Sequence, residues 1–139
     1  MTKLINPIDE KYLLGVSQID QTHQEFIELV NRMNSADKPS FIILFQNLIE
    51  HTESHFSKEL DLMKASAFSA IREHTDEHQR VLGDLRRFGS RVAKGSLQLG
   101  RAYITQQLPN WFELHTCTMD SALAAHLKKC EAPKQCKPV

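Results

Sequence analysis

The feature that most limits what this chain can fold into is a set of histidines and carboxylates standing where leucines would be expected. His55 and Glu59 are four apart, and so are His74 and His78. On a helix, residues four apart share one face. A helix predicted over Pro39–Ala65 carries Phe41, Leu44, Phe45, Leu48, His55, Glu59, Leu62 and Met63 on one stripe. The next, over Ser69–Lys94, carries Ile71, His74, His78, Val81, Leu82, Leu85, Phe88 and Val92. Before them, Asp20 is placed to cap a helix whose stripe is Ile19, His23, Phe26, Ile27, Val30 and Met33. After the stop signal Gly95-Ser96, a fourth helix aligns Leu99, Ile104, Leu108, Trp111, His115, Met119 and Ala122. Pro109 falls inside it and predicts a kink or a late start to its regular part.

Four amphipathic helices with short connections and no β-alternation predict an all-α, up-down-up-down four-helix bundle. The expected organisation is an N-terminal arm over 1–18, the bundle over 19–128 and a flexible C-terminal tail over 129–139. Lys+Arg and Asp+Glu are both 17, for a net charge of zero. That balance points to no nucleic-acid partner and no anionic membrane surface. The start has neither an apolar signal segment nor a cleavage site, and no run approaches a membrane span, so a cytoplasmic protein is expected. Three cysteines argue against a disulfide framework. Cys117 is expected to be buried as a small hydrophobe; Cys130 and Cys136 are expected in the mobile tail.

One histidine on an apolar stripe is usually a hydrogen-bonded core residue. Five of them, with an in-line glutamate, would leave several buried polar groups each costing a few kcal/mol without partners. A metal supplies the partner. His23, His55, Glu59, His74, His78 and His115 all face the same interior, and Asp120 lies five residues past His115. At 100° per residue Asp120 is rotated by about 140° from His115, so its carboxylate is expected to reach sideways. His51 and His126 are read as partly exposed residues near the bundle ends. Seven donors are too many for one zinc and suit two ions bridged by carboxylates. Imidazole and oxygen without thiolate favour iron or manganese. With only two carboxylates, high-valent iron is poorly stabilised, and reversible chemistry is the natural expectation.

The motifs resemble those of the hemerythrins, of the single-domain bacterial type called bacteriohemerythrin. The matching elements are GVSQIDQTH ending in His23, HFSKE at 55–59, Met63, HTDEH at 74–78 and WFELHTCTMD from Trp111 to Asp120. The resemblance implies a non-haem centre of two iron ions with an oxo or hydroxo bridge, which binds O2 reversibly for transport, storage or delivery. It implies that His74, His78 and His115 bind one iron. His23 and His55 bind the other, which keeps an open position, and Glu59 and Asp120 bridge the two. Phe112 stands where a leucine commonly flanks the O2 pocket, with Trp111 beside it. Thr116, Leu60 and Thr22 also depart from the usual pattern, at positions that are not ligands.

Two other classes compete with a non-enzymatic carrier. One is a sensor of O2 or redox state, which would need a separate protein partner. The other is an enzyme, either a di-iron enzyme handling peroxide or nitric oxide on the same scaffold, or a zinc protease. HTDEH fits the inverted protease pattern H-x-x-E-H, with Glu77 as base, but that reading leaves His23, His55 and His115 without a purpose.

Overall fold

The computed structural model describes residues 3–131. Four long helical segments run antiparallel in a bundle, and there is no strand among the described residues. The first three are α1 (Ser17–Asn34), α2 (Lys38–Ala65) and α3 (Ile71–Ala93). Each boundary has a local cause. Asp37 caps α2 by accepting a hydrogen bond from the Ser40 N–H at 3.0 Å, and Pro39 occupies the first turn, where no donor is needed. Past the end of α2, Ala67 takes a left-handed φ of 53°, and the Phe68 N–H returns to the Met63 carbonyl at 3.0 Å. That closure folds Phe68 onto Met63. Gly95, at φ 93°, ends α3 in the same way, with Ser96 N–H bonded to the Arg91 carbonyl.

Asp20 does not cap α1, which starts three residues earlier behind Val16. Its carboxylate accepts from the Leu14 and Gly15 N–H groups at 2.8 and 3.0 Å and fastens the arm to the first turn. The arm itself makes one short 3-10 turn, Glu10–Tyr12.

The fourth segment is where the structure departs most from a regular reading. It consists of α4 (Gln98–Ala102), a π turn (Tyr103–Gln107), α5 (Leu108–His115), a second π turn (Thr116–Asp120) and α6 (Ser121–Glu131). In the first π turn the Leu108 N–H bonds to the Tyr103 carbonyl, five residues back. The wider turn stands directly before Pro109, which has no N–H and whose ring would crowd the carbonyl four residues back. The helix therefore runs through the proline with one residue extra. In the second π turn the Ser121 N–H reaches the Thr116 carbonyl. Each extra residue shifts which side chains face inward. Leu99 is exposed, whereas Gly100 and Tyr103 are buried. Beyond His115 the buried positions are Thr116, Asp120, Leu123, Ala124 and Leu127; Ala122 is exposed and Met119 only half-buried. Cys117 is exposed for the same reason, contrary to its expected burial. Cys130 is carried on α6, half-buried beside His126, rather than in a tail. Cys136 lies outside the described residues.

The core is split in two. One cluster gathers Phe26, Val30, Phe41, Phe45, Leu48, Leu85, Ile104 and Phe112; the other gathers Ile19, Met63, Phe68, Leu123 and Leu127. Between them, on every long segment, lie buried polar residues. No helix among the described residues is long and apolar enough to cross a membrane. Gly100 lets the fourth segment approach α3 closely: a Cβ there would meet Val92 Cγ2 at 2.5 Å and the Phe45 ring at 3.5 Å. Valine has little rotamer freedom with which to yield. Gly100→Ala is therefore expected to cost about 1–3 kcal/mol through overpacking, read as a lower thermal or urea midpoint. An unchanged midpoint would contradict the close approach.

Candidate metal centre

The polar layer between the two apolar clusters contains His23, His55, Glu59, His74, His78, His115 and Asp120, and none is more than 4 % exposed. The structure brings all seven together. α1 supplies His23, α2 supplies His55 and Glu59, and α3 supplies His74 and His78; α5 supplies His115, and the second π turn supplies Asp120. The π turn removes the difficulty of the five-residue spacing. With one extra residue in the turn, His115 and Asp120 stack as four-apart residues would on an α-helix. Asp120 Oδ1 lies 3.1 Å from His115 Nε2, so no sideways reach is needed.

Each carboxylate faces two ways. Glu59 Oε1 is 3.0 Å from His74 Nε2 and 3.5 Å from His78 Nε2, while Oε2 is 2.5 Å from His55 Nε2 and 3.9 Å from His23 Nε2. Asp120 Oδ1 lies 3.1 Å from both His74 Nε2 and His115 Nε2, while Oδ2 is 3.0 Å from His23 Nε2. The donors thus fall into two groups that share Glu59: one with His74, His78, His115 and Asp120, the other with His23 and His55.

Hydrogen bonding alone does not satisfy this layer. His23 Nε2 and Asp120 Oδ1 are buried without a hydrogen-bond partner, because their close neighbours lie at the wrong angle. The His78 and His115 Nε2 atoms approach to 3.1 Å, a distance at which one must carry a proton toward the other. The same spacings suit a shared cation: donors about 2.1 Å from one ion and at right angles to each other stand about 3 Å apart. The donor set therefore fits metal.

The electrostatics agree. Burial and the neighbouring Asp120 both work to raise the Glu59 pKa, but His55 and His74 outweigh them and hold it below its ordinary value. Asp120 is held well below the usual range by His115, His23 and His74, against the effect of burial. Burial pushes His78 down to about 3. Burial also opposes protonation of His74, yet Asp120 and Glu59 together lift it to about 9. Two ionised carboxylates in a dry layer thus hold protons on imidazole, and a metal ion would displace them.

Aromatic rings wall the layer. Phe56 stacks on His78 at 3.6 Å, Trp111 on His115 at 4.6 Å, and Phe68 stands edge-on to His74 at 6.3 Å. Phe112 stands edge-on to His23 at 5.3 Å. Phe112 and Trp111, expected to line one pocket, thus stand against different donor groups. Phe56 and Phe68 had no distinguishing signal in the sequence, since their roles depend on neighbours from other helices. Glu77 is outside the cluster: its carboxylate pairs with Arg80 at 2.6 Å. His51 and His126 are half-buried on backbone carbonyls, those of Thr22 and Ser66 respectively. From the surface, a groove of about 560 Å³ between α1 and α2, lined in part by Thr22, Lys58 and Leu62, reaches His55 and Glu59.

A family model described as "Hemerythrin HHE cation binding domain" matches residues 14–129. The chain is 35% identical over 114 residues to a bacteriohemerythrin of Ralstonia nicotianae, covering 82% of each chain. It is 28% identical over 100 residues to a myohemerythrin of Sipunculus nudus, covering 72% of this chain and 82% of that one. It is 24% identical over 85 residues to a bacteriohemerythrin of Pseudomonas aeruginosa, covering 58% of this chain and 56% of that one. No solved structure matches the chain significantly.

Two variants separate the role of the π turn from that of Asp120. Deleting Cys117 leaves His115 and the aspartate four apart, in register for a regular α-helix. The deletion variant is expected to keep its metal content. Asp120→Asn is expected to bind metal at least about tenfold more weakly, given that even supporting partners contribute ~10–100-fold. Metal analysis after dialysis reads both. Equal loss in the two variants would sink the register argument.

Proposed function

The chain belongs to the hemerythrin family, and from that premise we propose that it binds O2 reversibly at a non-haem centre of two irons, as a carrier or store. The observation that carries this reading is the two-way presentation of both carboxylates, one oxygen of each toward either histidine group. Such carboxylates are suited to bridge two cations. His74, His78 and His115 would hold one iron; His23 and His55, one imidazole fewer, would hold the other and leave it a free position. Two ferrous ions would supply that free position and the electrons on which O2 binding draws.

The chain's own residues favour reversibility. Among the described residues, Glu59 and Asp120 alone bring negative charge into the layer, so oxidation of the centre beyond what O2 binding needs would be poorly stabilised. The apolar clusters on both sides, with Phe112 against His23, would keep bulk water and loose protons away from the layer. The imidazoles are held by packing as well as by charge, since Phe56, Trp111 and Phe68 press on the three-histidine group. A fixed donor set need not reorganise between the free and O2-bound forms.

The deciding experiment is anaerobic reduction of the iron-loaded protein, followed by O2 addition and then deoxygenation. Two irons per chain are expected by metal analysis, with a visible band that appears with O2 and disappears when O2 is removed. A stable oxidised product, or faster turnover of peroxide or nitric oxide, would replace the carrier reading with an enzyme. Reversible binding at trace O2 that alters a partner protein would make it a sensor. Phe112→Leu exchanges a ring beside His23 for a smaller branched chain. It is expected to change the O2 off-rate or the autoxidation rate by roughly three- to tenfold, about 0.7–1.4 kcal/mol at the barrier. Identical kinetics in both proteins would remove Phe112 from the pocket.

A further inference from the structure

Two seams flank α1. On the α2 side the surface is grooved, and the groove reaches His55 and Glu59. On the α5 side the seam is filled by a row of rings. Phe112 stacks on Phe26 at 4.7 Å and stands edge-on to His23 at 5.3 Å. The outermost ring of the row comes from neither helix: it is Tyr12, on the 3-10 turn of the arm, 5.3 Å from Phe112 and 4 % exposed.

The arm that delivers Tyr12 is tied down along its length. At one end the Asn31 side chain makes a reciprocal pair with the backbone of Ile5, accepting from its N–H at 2.9 Å and donating to its carbonyl at 2.8 Å. Gln24 donates to the Pro7 carbonyl at 3.1 Å. At the other end Asp20 accepts from Leu14 and Gly15. In the middle Lys11, next to Tyr12, pairs with Glu113, next to Phe112. Three of these ties are to α1 and one is to α5, so the arm straps the seam between them. The Lys11–Glu113 pair thus bridges the immediate neighbours of the two packed rings.

We propose that the arm seals the α1–α5 seam over the two-histidine side of the centre, with Tyr12 as the positioning residue that holds Phe112 against His23. Small ligands then reach the two-histidine side through the α1–α2 groove, which opens on His55 and Glu59, and not through the α1–α5 seam. This rests on the reading of His23 and His55 as the side with a free position. Without the Tyr12 ring, Phe112 has space to swing outward, and a second route opens to His23. The hydroxyl has no part in this, because what holds Phe112 is the area of the ring.

The test uses azide, a small anion that ligates ferric iron, mixed with the oxidised, iron-loaded protein and followed in a stopped-flow spectrometer. Tyr12→Ala is expected to raise the association rate about tenfold, the equivalent of about 1.4 kcal/mol at the barrier. Tyr12→Phe is expected to restore the slow rate, which a role through the hydroxyl would not allow. The double variant Lys11→Met/Glu113→Gln removes the latch and leaves the core intact. It is expected to raise the azide rate and to speed amide hydrogen exchange over residues 8–16, with exchange in α2 and α3 unchanged. Wild-type azide rates in Tyr12→Ala with full iron content would overturn the proposal. Should Tyr12→Ala fail to fold or load iron, wild-type rates in the latch variant would overturn it instead. Azide association does not require reversible O2 binding. A wild-type protein that fails to release O2 would remove the carrier reading, while the azide rates would still decide whether the arm is a seal.

Discussion

Everything in this bundle is arranged around the burial of two ionised carboxylates. Glu59 and Asp120 lie in a layer almost closed to water, where an uncompensated charge costs several kcal/mol. Five imidazoles, drawn from four helical segments, stand within 4 Å of their oxygens. The cost of separating the helices is therefore not only apolar. It would strand charges that only the assembled bundle can compensate, which ties the relative rotation of all four segments to one small volume. The apolar clusters above and below contribute the area-dependent stabilisation, while the polar layer sets the register in which that area is buried.

The two π turns show what this register demands of the fourth segment. It must place His115 and Asp120 in the same layer while presenting Leu108 to one apolar cluster and Leu123 to the other. A regular helix cannot do this with a five-residue spacing. One additional residue in the turn absorbs the mismatch and carries Cys117 to the outside. The earlier turn performs a similar service for Pro109, so that a residue that ordinarily breaks a helix is accommodated within one. Irregular backbone is thus concentrated on the segment whose sequence conflicts with ideal periodicity.

The surroundings of the centre divide along the same lines as its donors. The three-histidine group is pressed by Phe56, Trp111 and Phe68, whereas His23 faces Phe112, which packs in turn on Phe26 and Tyr12. The two donor groups therefore differ in the rings that pack against them as well as in their number of imidazoles. The groove between α1 and α2 reaches the layer on the two-histidine side, at His55.

The sequence by itself determined the four amphipathic stripes, and with them the bundle and six of the seven histidines and carboxylates gathered in the polar layer. Those are properties of spacing: residues four apart on a helix share a face whatever the tertiary context. Asp20, Asp120, Cys117 and Tyr12 were decided by the tertiary structure. Asp20 meets the helix-start pattern, yet the incoming arm supplied N–H donors that its carboxylate took instead. Asp120 and Cys117 exchange faces because one turn widened, and a uniform 100° per residue holds no trace of that. Tyr12 lies in a stretch without periodicity, and its place against Phe112 depends on ties to α1 and α5 that exist only once those helices are side by side. Periodicity reports which way a side chain points along its own helix. Which neighbours it meets there, and where the helix must depart from regularity to meet them, is set by packing between segments distant in the chain.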